Sequence, residues 1–158
     1  MAEENLERMI KLAEEFFDVK NDPEQISVNE GVMEQLERLH PSTMNQRRDA
    51  KGPFAWVLVI PTTRKLMEEF VAGRLSEKEL LARTPQGGSF EAVYLCSALV
   101  LPEHRGKGLA TGMLVESIRA ISRDHPIAAL CSWAFSKEGD ALSEKVARLT
   151  ALPLFKRA

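Results

Sequence analysis

Apolar positions recur at helical spacing in the first forty residues and then give way to a polar segment. Leu6 and Met9 belong to an apolar stripe that predicts an amphipathic helix over residues 4–18. A second stripe predicts a helix from Glu30 to Leu39. Residues 41–53 are polar and rich in turn-forming residues, which predicts a loop. The first third of the chain is therefore expected to be mainly helical.

A continuous apolar run follows this loop. Phe54 to Ile60 contains only apolar residues and is closed by a proline, and its length and β-branched content predict a buried strand. We expect a helix next, from about Arg64 to Ala72. Ser76 and Glu79 have the spacing of a capping box, which predicts a short helix from Glu77 to about Arg83.

The second half of the chain alternates between strands and helices. Strands are predicted over Ala92–Leu101 and Ile127–Phe135, and helices run from about Lys107 to Arg123 and from an N-cap at Asp140 to about Thr150. Residues 152–155 are predicted to form a short edge strand, since proline is tolerated at an edge. This order predicts one α/β (α+β) domain over the whole chain, in which helices cover both faces of a mixed sheet.

The composition is that of a globular domain. The chain has 158 residues, of which 44% are hydrophobic and 28% are charged, and this is enough for one domain with a buried core. The net charge of -2 argues against general nucleic-acid binding, which usually needs a basic face. No run reaches the roughly 20 apolar residues that cross a bilayer, and none resembles a signal peptide. We expect a cytoplasmic protein with no nucleic-acid or membrane partner.

The two cysteines, Cys96 and Cys131, both lie in apolar runs that are predicted to be strands. Free cysteine behaves as a small apolar residue, so both thiols are expected to be reduced and buried. No paired spacing of cysteine or histidine predicts a zinc site, and we expect no metal.

The turn before the helix near Lys107 carries the clearest chemical signal. The first amides of a helix have no partner within the helix and lie at the positive end of its dipole, so they bind phosphate. Gly106 and Gly108 remove side chains that would hold a ligand away, and they permit positive φ. Arg105 and Lys107 add charge that complements phosphate. Residue types alone therefore predict a pyrophosphate-binding turn.

This turn resembles that of the GCN5-related N-acetyltransferases (the GNAT family). Their motif is Gln or Arg, two residues, Gly, one residue, and then Gly or Ala, and Arg105, Gly108 and Ala110 match it. The resemblance extends from about Glu91 to Lys145. It implies a GNAT-like mixed sheet, shortened at the N-terminal strands and at the C-terminal hairpin, with acetyl-CoA as co-substrate and no metal.

The resemblance also implies a mechanism. In that family the pantetheine arm lies where two strands splay apart, so Leu99 and Val100 would offer it backbone groups. An amine of a small molecule or protein attacks the thioester directly, while a backbone amide in a strand bulge stabilises the oxyanion. The residues implied to hold the pyrophosphate are Arg105, Gly106, Lys107, Gly108, Leu109, Ala110 and Thr111.

The catalytic candidates are Glu91, Tyr94 and Ser143. Many family members have a tyrosine that protonates the leaving thiolate, and Ser143 stands in its place; a serine hydroxyl, a much weaker acid, relays a proton only through water. Tyr94 is a candidate acid in place of that tyrosine, although an aromatic residue in a strand more often packs in the core. Glu91 is a candidate general base, with a solvent-facing strand end as the favoured alternative.

Several alternatives stay open at this point. Without the tyrosine, the chain also fits a catalytically weak or inactive acyl-CoA-binding module that acts through binding or assembly. Gly112 completes a relaxed dinucleotide-binding pattern, but too little chain follows it for such a fold. Trp133 and Phe135 are expected to pack in the core rather than line an acceptor pocket. A sheet with only one strand before the strand that splays from its neighbour has an open edge. We expect a homodimer to cover this edge.

Overall fold

The fold, seen in a computed structural model, is a five-stranded mixed sheet with helices on both faces. The structure describes residues 4–20, 30–134 and 136–157, with the backbone alone for 13–20 and 30. Together with a 3₁₀ turn at Pro102–His104, the elements are α1 (Glu4–Lys20), α2 (Glu30–Leu39), β1 (Met44–Asp49), β2 (Gly52–Thr62), α3 (Arg64–Val71), α4 (Glu77–Arg83), β3 (Ala92–Val100), α5 (Leu109–Asp124), β4 (Ala129–Ser132), α6 (Lys137–Thr150) and β5 (Leu154–Lys156). The expected α/β class and mixed sheet are confirmed.

The strands lie in the sheet in the order in which they occur along the chain. β1, β2 and β3 are antiparallel neighbours, whereas β3 pairs with β4, and β4 with β5, in parallel. Parallel neighbours need a crossover connection, which α5 and α6 supply. The sheet therefore changes from antiparallel to parallel at β3.

The predicted loop over residues 41–53 is wrong, because it contains β1. This strand is paired with β2 from Met44, opposite Leu58, to Asp49, opposite Gly52. Apart from Met44 its side chains are polar, and they are exposed or half-buried, as suits an edge strand, so no apolar alternation marked it in the sequence. Because β1 precedes β2, two strands rather than one come before β3.

Other boundaries also differ from the sequence-based expectation. α6 begins at Lys137 rather than near Asp140, because the Ser136 hydroxyl accepts a hydrogen bond from the Gly139 amide (3.0 Å) and caps the helix. β4 ends at Ser132, and the predicted strand end at Phe135 lies outside the described residues. In contrast, the predicted capping box of α4 is present with both of its hydrogen bonds.

Each face of the sheet buries its own apolar cluster. On one face, α2, α3 and α4 pack against side chains of β2, β3 and β4, and the centre of this cluster includes Phe70, Leu80 and Tyr94. On the other face, α5 and α6 pack against alternate residues of the same strands, such as Val93 and Leu130. Because β2 and the first part of β3 are covered on both faces, β2 is almost entirely buried, as its apolar run predicted, and β3 is buried from Ala92 to Leu95. The later part of β3 is half-buried except at Leu99.

α1 packs where β3 ends and the chain enters the 3₁₀ turn. Met9 is fully buried against Leu99 and Leu101. The Arg8 guanidinium makes two hydrogen bonds to the Glu103 carboxylate, at 2.5 and 2.6 Å, and this pairing lowers the pKa of Glu103 to about 2. Within the described part of the chain, no helix is both long and apolar enough to cross a membrane.

Candidate functional site

β3 and β4 pair over a short distance and then separate. Their parallel register runs from Ala92, opposite Ala129, to Leu95, opposite Ser132, where β4 ends. β3 continues to Val100. Past Leu95, within the residues that the structure describes, no strand lies along the edge of β3 that faces away from β2.

A β-bulge marks the point of separation. On β2, Leu58 lies opposite Ser97 and Val59 lies opposite Leu95, so Cys96 is the extra residue on β3. A bulge bends its strand and increases the local twist, which turns the rest of β3 away from the end of β4. The sheet is therefore open beside Cys96, the residue that interrupts the pairing of β3 with β2.

A cavity of about 380 Å³ occupies this opening. Its volume lies within the range of about 300–1,000 Å³ that is usual for small-molecule sites. The bulged part of β3 forms one wall, the end of β4 forms another, and α5 and α6 close it from one side of the sheet. The lining residues are Leu95, Cys96, Ser97, Ala98, Leu114, Ser132, Trp133, Ala134, Ser136, Glu138, Gly139, Leu142 and Ser143.

Side chains from both faces of the sheet reach the cavity. Leu95, Leu114 and Leu142 belong to the cluster on the α5 and α6 side. Cys96 and Trp133 pack against the cluster on the opposite side, with α3 and α4. The opening therefore connects the two faces of the sheet, and a ligand in it is accessible to groups on both.

The polar groups of the cavity are few. The Ser143 hydroxyl is buried and donates to the Gly139 carbonyl (3.0 Å) within α6. The Ser132 side chain is 2% exposed, and its hydroxyl has no hydrogen-bond partner among the described residues. Cys96 and the exposed Glu138 are the titratable groups among the lining residues. Most of the wall is apolar, with hydroxyl groups at isolated points.

The glycine-containing turn lies at the start of α5, on the side from which α5 closes the cavity. Gly106 and Gly108 have φ of 79° and 73°, a conformation that L side chains rarely adopt. Gly108 is the N-cap of α5 and provides no side-chain hydrogen bond, so the first amides of α5 have no capping group. Leu114 in the cavity wall lies roughly 8 Å along the helix axis from Leu109 at this N-terminus.

The residues that the GNAT resemblance implies for coenzyme binding are brought together by the glycine turn and the end of β3. Those from Arg105 to Thr111 form the turn and the first residues of α5, next to the end of β3 that carries Leu99 and Val100. The Arg105 guanidinium Nε donates to the Val100 carbonyl (2.8 Å), which ties the turn to the strand. Lys107 is exposed. Leu99 itself packs against Met9 and Leu101.

The three catalytic candidates are not brought together. Ser143 lines the cavity, whereas Glu91 and Tyr94 do not. Tyr94 is fully buried on the α3 and α4 side, where its hydroxyl donates to the buried Glu77 carboxylate (2.5 Å). Burial, then the nearby Cys96 and Glu77, raises the pKa of Tyr94 well above its usual value. Glu91 precedes β3, roughly 17 Å along the strand direction from Cys96.

Some residues of the cavity had no role assigned from the sequence. Cys96 was expected to be a buried thiol, and this is wrong: it is half-buried in the cavity wall, because it is the bulge residue of β3, and the bulge depends on the pairing with β2. Ser132 was a lone hydroxyl in an apolar run, and this could have marked it. Trp133 packs against the core cluster, as expected, and also lines the cavity, with the Arg157 guanidinium 4.2 Å from its ring centroid.

No protein-family model matches the chain, and no curated protein matches it significantly. In the described ranges, no group of three or more His, Cys, Asp or Glu side chains is arranged to hold a metal ion.

Proposed function

We propose that the chain binds acetyl-CoA in the opening between β3 and β4 and transfers the acetyl group to an amine of a small molecule or protein. The separation of the two strands at the Cys96 bulge is the observation that carries this proposal. It leaves an unpaired strand edge beside a mainly apolar cavity. An extended arm with internal amide groups, such as pantetheine, fits both features.

The glycine turn supports the position of the pyrophosphate. Because Gly108 lacks a side chain and α5 has no acidic residue in its first turn, the positive end of this helix is open to an anion. A Cβ added to Gly106 or Gly108 would meet nothing within 4 Å, so the turn has free space on its outer side. The coenzyme would then run from this turn, along α5 and into the cavity.

The proposed reaction is a direct transfer. The neutral amine nitrogen forms a bond to the acetyl carbon and loses a proton to water, the carbon–sulfur bond breaks, and the coenzyme leaves as a thiolate that takes up a proton from water. Amides of the bulged segment of β3 would stabilise the oxyanion that forms on the thioester oxygen. Since the cavity connects both faces of the sheet, the coenzyme would enter from the α5 side and the amine from the side of Cys96 and Trp133.

Turnover and binding of paired variants test this proposal. The wild-type chain is expected to release free thiol from acetyl-CoA with at least one member of an amine panel, and acetyl-CoA is expected to raise its melting temperature. Ala98→Phe places a ring in the cavity and should abolish both effects. Ala120→Phe is the matched control, because Ala120 is also half-buried but lies on α5 outside the cavity.

A second candidate is an acyl-CoA-binding module without turnover. It is favoured by the positions of Glu91 and Tyr94 outside the cavity, and by the Ser143 proton, which is already donated to Gly139. Saturable binding of coenzyme A with no thiol release on any amine would support this candidate over the first. If acetyl-CoA gives no thermal stabilisation, both candidates are wrong.

A further inference from the structure

The Ser132 hydroxyl is a buried polar group with no hydrogen-bond partner among the described residues. Its side chain is 2% exposed, and its oxygen makes no hydrogen bond to any residue that the structure describes. Buried hydroxyls almost always have a partner, because a hydroxyl that loses its water and gains nothing destabilises the fold. Because Ser132 lies in the wall of the cavity, a group that enters the cavity can supply that partner.

The surroundings of Ser132 narrow the choice of that group. Ser132 ends β4 opposite Leu95, and the cavity wall beside it on the α5 and α6 side includes Leu114 and Leu142. A charged ligand group would be poorly stabilised against these side chains. A neutral polar group on an otherwise apolar chain fits the wall better.

Ser143, on α6, is the second buried hydroxyl among the residues that line the cavity. Its proton is donated to the Gly139 carbonyl, so its oxygen retains lone pairs that accept a hydrogen bond. The Ser132 hydroxyl has no acceptor in the described chain and is free to donate. The end of β4 and α6 thus offer a donor and an acceptor from two walls of the cavity, and a trans secondary amide, whose C=O and N–H point in opposite directions, needs both.

We propose that Ser132 and Ser143 are positioning residues that recognise one amide of the ligand's arm, Ser132 by donating to its carbonyl oxygen and Ser143 by accepting from its N–H. This inference rests on the proposed function and names the group by which the cavity recognises pantetheine, an uncharged arm whose amides are separated by short alkyl segments. It also gives Ser143 a role that does not require it to act as an acid.

Removal of the Ser132 hydroxyl should have opposite effects on the free and the bound protein. In the free protein, Ser132→Ala removes a buried group without a partner, so the melting temperature is expected to stay the same or rise. With coenzyme A, the variant loses a hydrogen bond, so Kd measured by isothermal titration calorimetry should rise by about five- to tenfold. A purely structural role of Ser132 would not separate these two effects.

Ser117 provides a matched control. It is 1% exposed, its hydroxyl also has no partner among the described residues, and it lies on α5 in a different cleft, beside β1. Ser117→Ala should therefore change the melting temperature in the same direction as Ser132→Ala. It should leave Kd for coenzyme A unchanged.

A double-mutant cycle tests whether both hydroxyls contact the same amide. Ser143→Ala is expected to raise Kd for coenzyme A by a similar factor, and the double variant should lose less than the product of the two single losses, because the two contacts position one group. A double variant that loses the full product would contradict the assignment to a single amide.

The outcomes distinguish this inference from the proposed function. If the wild-type chain does not bind coenzyme A, the proposed function fails, and the inference fails with it. If the wild type binds but Ser132→Ala binds equally well, the inference alone is overturned. A lower melting temperature of free Ser132→Ala would show that the hydroxyl already has a partner in the free protein, and this too would overturn it.

Discussion

Substitution of Gly108 by alanine separates backbone strain from ligand contact at the proposed pyrophosphate site. Gly108 has φ of 73°, and a Cβ there would meet no other atom within 4 Å. The cost in the free protein is therefore the left-handed conformation alone, about 1–2 kcal/mol. For a domain of this size, each kcal/mol lowers the melting temperature by about 2–4 °C.

Gly73 is a position outside the glycine turn at which substitution by alanine introduces the same backbone strain. It has φ of 81°, it also has nothing within 4 Å of an added Cβ, and it follows the end of α3, far along the chain from the turn. Gly73→Ala and Gly108→Ala should therefore lower the melting temperature by similar amounts, measured by circular dichroism without ligand. Equal decreases in the melting temperature of the two variants would confirm that the cost of each substitution is backbone strain.

Coenzyme A should distinguish the two variants. In Gly108→Ala the added methyl group stands where the phosphate must approach the first amides of α5, so we expect Kd by calorimetry to rise at least tenfold. Gly73→Ala should bind coenzyme A as the wild type does. Equal affinities of the two variants would refute the reasoning, because the ligand would then not approach the turn at Gly108.

Three further predictions concern single side chains. Cys96 is half-buried in the cavity wall whereas Cys131 is fully buried with its pKa raised by burial, so N-ethylmaleimide should label Cys96 alone in the folded chain, and acetyl-CoA, whose sulfur is blocked as a thioester and does not consume the reagent, should slow the labelling. Tyr94 is the only tyrosine, so an absorbance titration reports it alone, and its raised pKa predicts tyrosinate only when the chain unfolds in alkali. The pKa of Glu103 falls from its ordinary 4.5 to about 2 beside Arg8, so the stability that this pair contributes should be present above about pH 4.5 and be lost as the pH falls to 2.

Each of these predictions has a clear contradicting result. Labelling of Cys96 that acetyl-CoA leaves unchanged would place the ligand outside the cavity. Tyrosinate that forms in the folded chain near the usual pKa would contradict the burial of Tyr94. The role of Tyr94 is checked separately by Tyr94→Phe, which retains turnover if Tyr94 is not the acid. For Glu103, urea unfolding of Glu103→Gln against wild type should show a difference at pH 7 that disappears at pH 2; a constant difference would contradict the ion pair.

Local signals explain which parts of the fold were predictable. The capping box of Ser76 and Glu79 forms within one helical turn, so it specifies the start of α4 wherever that helix packs. The apolar run from Phe54 to Ile60 predicted a buried strand, and β2 is almost entirely buried. The glycines at 106 and 108 indicated positive φ, and both adopt it.

β1 and the start of α6 were missed for different physical reasons. β1 is an edge strand whose side chains are mostly polar and are exposed or half-buried, so its strand conformation comes from pairing with β2 rather than from its own pattern. At α6, Ser136 and Asp140 are both suitable caps, and Gly139 suggested a turn although it lies in the first helical turn. Competing local signals of similar strength are resolved only by packing.

The sequence by itself determined the α/β class, the buried strands and a glycine turn suited to phosphate, because each depends on residues close together in the chain. Tertiary structure alone decided the bulge at Cys96, the cavity beside it and the burial of Ser132 in its wall. These features arise where β2, β3, β4, α5 and α6 meet. Whether a strand bulges, separates from its neighbour or buries a hydroxyl depends on partners that lie far away in the sequence, so no local pattern specifies it.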